Sequence, residues 1–183
     1  CKQAVETEYA NWLATLPTTP PDLEAAVMLA AYTNWSSVVA PTGLLKRPAM
    51  LMSKNNMTSI WSWDNCFNAM ALIYHHPQLA WDKKGAFPDY VNDNSIDWAF
   101  CKPPIHGWAL RWMMARTDFI TPARMAEVYE PLARWTNWWF LYRDDDRDGV
   151  PQYNHGNDSG WDNATPFDIG LPLESPDLAA YLI

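Results

Sequence analysis

The stretch Tyr153-Asn154-His155-Gly156-Asn157-Asp158-Ser159-Gly160-Trp161-Asp162-Asn163-Ala164-Thr165 concentrates the polar chemistry of this chain. It gathers two carboxylates, one imidazole, three amides and an indole, with glycines that let the backbone turn tightly. Cleavage of a glycosidic bond asks for such groups. A carboxylic acid protonates the leaving oxygen, amides and imidazole hold sugar hydroxyls, and an indole offers a stacking platform. A polar loop whose Asp and Asn side chains satisfy turn backbones would have the same composition. Two other segments carry related chemistry. Trp61-Ser62-Trp63-Asp64 sets two indoles and a carboxylate at the start of an apolar run, with Asp64 where a helix N-cap would stand. In Phe100-Cys101-Lys102-Pro103-Pro104-Ile105-His106-Gly107-Trp108, two prolines fix a helix entry, so that Lys102 and His106 fall at or near the first turn. A lone His in such a place is more often structural than a ligand.

A fourth motif points to a metal. Asp144-Asp145-Asp146-Arg147-Asp148-Gly149-Val150 fits the opening of a calcium loop, with side-chain oxygens from Asp144, Asp146 and Asp148, then Gly149, then the carbonyl of Val150. The twelfth position is His155, so the bidentate acid is absent from its usual place. An acidic turn between a helix and the next loop is the plainer reading. No cofactor is needed for the candidate chemistry, and structural calcium is the one ion the motifs suggest. Cys1, Cys66 and Cys101 form an odd set without CxxC spacing, which supports neither zinc nor a disulfide framework and favours a reducing, cytoplasmic setting.

These groups must be positioned by helices. Apolar residues recur at i, i+3, i+4 and i+7 in Leu23–Ala31, Phe67–Tyr74, Ile105–Met113 and Met125–Trp139, and Ala4 to Leu16 is also helix-like. Pro131 is expected to kink or divide the fourth run. Ser175-Pro176-Asp177 reads as N-cap, first helical residue and first-turn acid. Strand signals are few; Ala49–Ser53 and Ser59–Trp63 could pair as one short hairpin across Lys54-Asn55-Asn56. Long polar segments at Pro41–Trp63, Trp81–Lys102 and Asp144–Pro172 separate the helices and hold the candidate chemistry.

Composition narrows the class. With 13 basic and 21 acidic side chains the net charge is −8, a poor match for phosphate backbones or anionic lipid, so neither a nucleic-acid nor a membrane partner is expected. Twelve tryptophans among 183 residues exclude disorder and divide between core and site. Trp108, Trp112, Trp135 and Trp139 fall on the helical stripes, whereas Trp61, Trp63 and Trp161 flank the candidate chemistry.

In the order Trp-Ser-Trp-Asp, Lys-Pro-Pro-Ile-His-Gly, Ser-Gly-Trp-Asp-Asn, the three motifs resemble glycoside hydrolase family 63 and its mannosylglycerate-hydrolase-like relatives, from about Asn34 to Ile183. The resemblance implies an all-α fold, an (α/α)6 toroid of helical hairpins with long loops on one face. It also implies inverting, exo-acting hydrolysis of an α-linked glucoside or mannoside, with an oligosaccharide or small glycoside as substrate. Asp162 matches the general acid. Asp64, with Trp61 and Trp63, matches the group that grips the non-reducing sugar. Lys102 stands at a polar contact often filled by Gln, and His106 follows one turn on. His155, Gly156, Asn157, Asp158, Trp161 and Asn163 would line the cleaved bond. Asp158 stands where the family often has Glu, and the spacing from Pro77 to Gly85 is too short for a full barrel helix. The second carboxylate of an inverting enzyme, roughly 6.5–9.5 Å from the acid, is not matched by Glu174. Residues 1–183 are therefore expected to be about half of one toroid domain, cut at both ends, holding the acid but not the base and inactive alone. Such a piece would expose apolar surface that the whole domain covers. The contrasting expectation is a carbohydrate-binding toroid without catalysis.

Overall fold

The computed structural model describes residues 1–43, 45, 47–51, 60–83, 102–161 and 164–183. It is mostly helical, with strands of only two residues, so the all-α expectation holds. The chain forms two compact units, Cys1–Ala86 and Phe87–Ile183.

In the first unit, α1 (Lys2–Leu13) and α2 (Glu24–Ser37) pack against each other. The joint is aromatic: Tyr9 meets Trp35 at 4.8 Å and Tyr32 edge-on at 5.9 Å, and Trp35 Nε1 donates to Glu8 at 3.1 Å. Pro20 and Pro21 open a single 3-10 turn before α2, as prolines pre-set for a helix start do. After α2 come β1 (Val38–Val39) and β2 (Ala49–Met50), antiparallel with Val38 opposite Met50. This differs from the hairpin expected between Ala49–Ser53 and Ser59–Trp63. The β-branched Val38-Val39 pair takes up β2, while Ser62 and Trp63 enter a helix; the expected turn at Lys54-Asn55-Asn56 lies outside the described residues.

Helix α3 (Ser62–Leu72) packs on α4 (Pro77–Lys83); the residues that follow Lys83, on which the expected missing or shortened barrel helix turns, lie outside the described residues. Small and apolar residues, Ala69, Leu72, Ile73, Ala80 and Trp81, are buried there. At the corner, His76 stacks on Trp12 at 4.1 Å, and its Nε2 lies 2.8 Å from Thr15 Oγ1, tying the end of α1 to this hairpin.

The second unit contains α5 (His106–Met114), α6 (Pro122–Tyr142), the antiparallel pair β3 (Gln152–Tyr153) and β4 (Leu173–Glu174), and α7 (Pro176–Leu182). Thr121 caps α6 by accepting from Arg124 N, and Pro122 is its first residue. The helix runs through Pro131 as one element, so of the kink or division expected there the division does not occur. A proline removes one backbone bond, and 21 residues with a buried tryptophan face supply the compensating packing. That face, Trp135, Trp138 and Trp139, forms a core with Tyr153 and Leu178, against which Phe167 and Leu182 pack. Trp108 is 42 % exposed and does not join it; Ile105, His106, Ala109, Leu110 and Met113 are the buried positions of the α5 segment. Ser175 is the N-cap residue of α7, as read from sequence. Among the described residues, no helix is long and apolar enough to cross a membrane.

Candidate functional site

The loop after β3 is held in place by its own polar groups. His155 caps a 3-10 turn, Gly156–Ser159, in a reciprocal box: His155 Nδ1 accepts from Asn157 N at 3.1 Å, and Asp158 Oδ2 accepts from His155 N at 3.1 Å. Ser159 Oγ donates to Gly156 O at 2.6 Å and accepts from Trp161 N at 2.9 Å. Gly160 ends the turn with φ +74°, a conformation that favours glycine, and so redirects the chain. The Trp161 side chain that follows is 54 % exposed. At Gly156 a β-carbon would stand 3.4 Å from the Phe167 ring, in ordinary contact with it.

Two anchors join this turn to the rest of the unit. Lys102 Nζ donates to Asn157 O at 2.6 Å, so the segment before α5 reaches the loop. Tyr153 is fully buried beneath it, edge-on to Trp139 at 5.9 Å, and its hydroxyl donates to Asp177 Oδ2 at 3.0 Å. Burial, then the charge of Asp177, pushes the Tyr153 phenol far above its ordinary value, so it remains a donor.

Asp158 is 0 % exposed. Burial raises its carboxyl above the ordinary aspartate value, although the Arg143 guanidinium and the His155 backbone bond oppose that shift. Arg143 is itself buried at the end of α6, 4.9 Å from the Trp138 ring centre, and its carbonyl accepts from Gln152 N at 2.6 Å. His106, the other predicted residue on α5, is 2 % exposed and edge-on to Trp135. The structure therefore gathers Lys102, His155, Gly156, Asn157 and Asp158 around one turn, and sets His106 against the aromatic core. Asp162 and Asn163 lie outside the described residues.

In the first unit, Asp64 is not the N-cap of α3. Trp61 takes that position with extended backbone and Asp64 falls in the first helical turn, where a carboxylate meets the positive end of the helix dipole. Trp61, Trp63 and Asp64 are all partly exposed, and Trp63 packs edge-on to Phe67 at 5.2 Å. Asn65, absent from the sequence-based set, fixes this start. Its Oδ1 accepts from Met50 N at 3.2 Å, and its Nδ2 donates to Met50 O and to Trp61 O at 2.9 Å. A buried Asn behind an apolar run gives no signal by type; only the β2 edge beside it gives it a role.

The carboxylates of Asp144, Asp146 and Asp148 offer oxygens all within 4.8 Å of one another. They also accept backbone N–H groups of their own loop, from Asp148, Gly149 and Val150. Through the pairing of Gln152 with Glu174, a fourth acid comes near: Asp148 first, then Asp146 and Asp144, raise the Glu174 carboxyl above its ordinary value. This donor set of hard oxygens fits a calcium-like cation. Gln152, also missed from sequence, is buried and donates to Asp145 Oδ2 and Asn154 Oδ1, linking the acidic loop to the candidate site.

The model of one protein family, the mannosylglycerate hydrolase MGH1-like glycoside hydrolase domain, matches residues 57–177, about two thirds of the chain. No curated protein and no solved structure matches it significantly.

Proposed function

We propose a catalytic role for this chain, which belongs to the mannosylglycerate hydrolase MGH1-like glycoside hydrolase family: inverting, exo-acting hydrolysis of an α-linked glucoside or mannoside. Asp162 acts as the general acid, protonating the leaving oxygen as the anomeric bond breaks, while a water activated by a second carboxylate attacks from the opposite face. That base is assigned to a carboxylate outside these residues. Asp64, Trp61 and Trp63 hold the non-reducing sugar, and the exposed indole of Trp161 lines the pocket. The observation that carries the reading is the braced turn at Gly156–Ser159, which ends two residues before an exposed tryptophan and three before the acid. Such preorganisation is what proton transfer to a leaving group requires. The acidic loop takes a structural calcium, which would hold the chain between α6 and β3 through Asp144, Asp146, Asp148 and the Val150 carbonyl.

The test is Asp162→Asn in the intact protein, with a panel of α-glucosides, α-mannosides and mannosylglycerate. Turnover by the wild type should fall by about 10²–10⁴-fold, while binding of the sugar is retained. Unchanged turnover would remove the assignment. A wild type that binds sugar without hydrolysing any member of the panel would favour the non-catalytic binding module.

A further inference from the structure

Within that glycosidase reading, we propose that Asp158 is a positioning residue: a buried carboxylate that holds the turn leading to the acid in shape and does not touch the sugar. Its burial is complete, and one oxygen, Oδ2, is committed to the His155 backbone N–H. The other, Oδ1, has no hydrogen-bond partner among the described residues. A buried carboxylate with an unsatisfied oxygen is destabilising by itself, so a fold retains it where it does something an apolar residue could not. Here it closes the reciprocal box that keeps His155 extended and lets the His155 ring accept from Asn157 N. With the box closed, Asn157 O is presented to Lys102, and Ser159 stands where its hydroxyl holds both Gly156 O and Trp161 N.

Arg143, at the end of α6, is buried, and its cation favours the charged form of Asp158 against burial. The consequence for catalysis is specific. A loosened loop would place the acid poorly without altering how the sugar is gripped. The loss should then depend on how much protonation the leaving group needs.

The experiment compares Asp158→Ala, Asp158→Asn and the wild type of the intact protein on two substrates with the same sugar. One is an alkyl α-glycoside, whose leaving oxygen must be protonated; the other is the α-glycosyl fluoride, whose leaving group needs much less help. Asp158→Ala should lower kcat at least about 100-fold on the alkyl glycoside and less than about five-fold on the fluoride, with KM within about three-fold on both. Asp158→Asn keeps an acceptor for His155 N and should recover at least about ten-fold of that loss. Equal losses on the two substrates, a loss carried by KM, or no recovery in the Asn variant would overturn the proposal. If the wild type cleaves neither substrate, the glycosidase reading fails separately, and amide hydrogen exchange decides the brace. Asp158→Ala should then raise exchange at His155 and Trp161 at least about ten-fold more than within α6; a uniform rise, or none, would refute it.

Discussion

Tyr153→Phe isolates one buried bond at the root of the candidate loop. The phenylalanine ring keeps the edge contacts to Trp139 and Phe167 and loses only the hydroxyl that donates to Asp177 Oδ2 at 3.0 Å. A hydrogen bond to a charged acceptor contributes about 1.5–3 kcal/mol. Asp177 is only partly buried and still accepts from Ser175 Oγ, so the lower figure, about 1.5 kcal/mol, is expected near neutrality. The pH dependence is the sharper signature. The folded-state value of Tyr153 is raised above its ordinary 10.0, so its stabilisation is complete below that value and is lost as pH rises beyond it. At about pH 11 the unfolded tyrosine gains about 1.4 kcal/mol from ionisation that the folded one does not. The wild type's advantage over Tyr153→Phe should therefore shrink to nearly nothing there. Urea unfolding of both proteins, followed by tryptophan fluorescence at about pH 8 and about pH 11, measures it. Other alkaline titrations are common to both chains and cancel in the difference. An advantage that is the same at both pH values would refute the assignment of a differentially protonated Tyr153.

Asn65→Ala should cost about 1–3 kcal/mol, because it leaves the Met50 backbone groups unpaired in a buried place; a change under about 0.5 kcal/mol in urea unfolding would show that β2 does not rest on it. Asp158 has its folded-state value raised, so the stability it contributes is complete below its ordinary 3.8 and is lost as pH rises through the folded value. Wild type should accordingly gain on Asp158→Asn as pH falls from neutrality toward the ordinary aspartate range, and a pH-independent difference in unfolding free energy would contradict this. Calcium in excess should raise the melting temperature of the wild type, chelator should reverse the gain, and Asp146→Asn should abolish it; equal melting with calcium and chelator would remove the ion from the acidic loop.

The parts of the fold legible in the sequence are those with local causes. Ser175-Pro176-Asp177 predicts the start of α7 because a cap residue and a pre-set φ act within one turn, and the structure starts the helix there. The apolar spacing behind Pro103-Pro104 likewise predicts α5. What was not legible is decided at a distance. Val38-Val39 takes β2 because α2 ends beside it, and no spacing within Ala49–Trp63 reveals that competitor. Pro131 looks like a break until the tryptophan face of α6 is seen to be buried on both sides of it in sequence, at Val128 and at Trp135.

The candidate site divides in the same way, and the division concerns roles more than identities. Residue types single out one loop, and His155, Asn157 and Asp158 do occupy one turn that Lys102 reaches. Type alone assigns each polar group in such a loop to the substrate, because a carboxylate and an amide look alike whether they face a sugar or a backbone N–H. Burial separates them. Asp158 has no exposed surface, whereas Trp161, three residues on, is more than half exposed. A turn this short cannot present every side chain to a ligand and also hold its own shape: its backbone donors need acceptors, and the nearest acceptors are the residues that sequence reading assigns to the substrate. The groups that hold the loop and the groups that meet a sugar must therefore be different members of the same motif. The hydrogen bonds of Asp158 Oδ2 to His155 N and of Ser159 Oγ to Gly156 O and Trp161 N support reading both as members of the holding set.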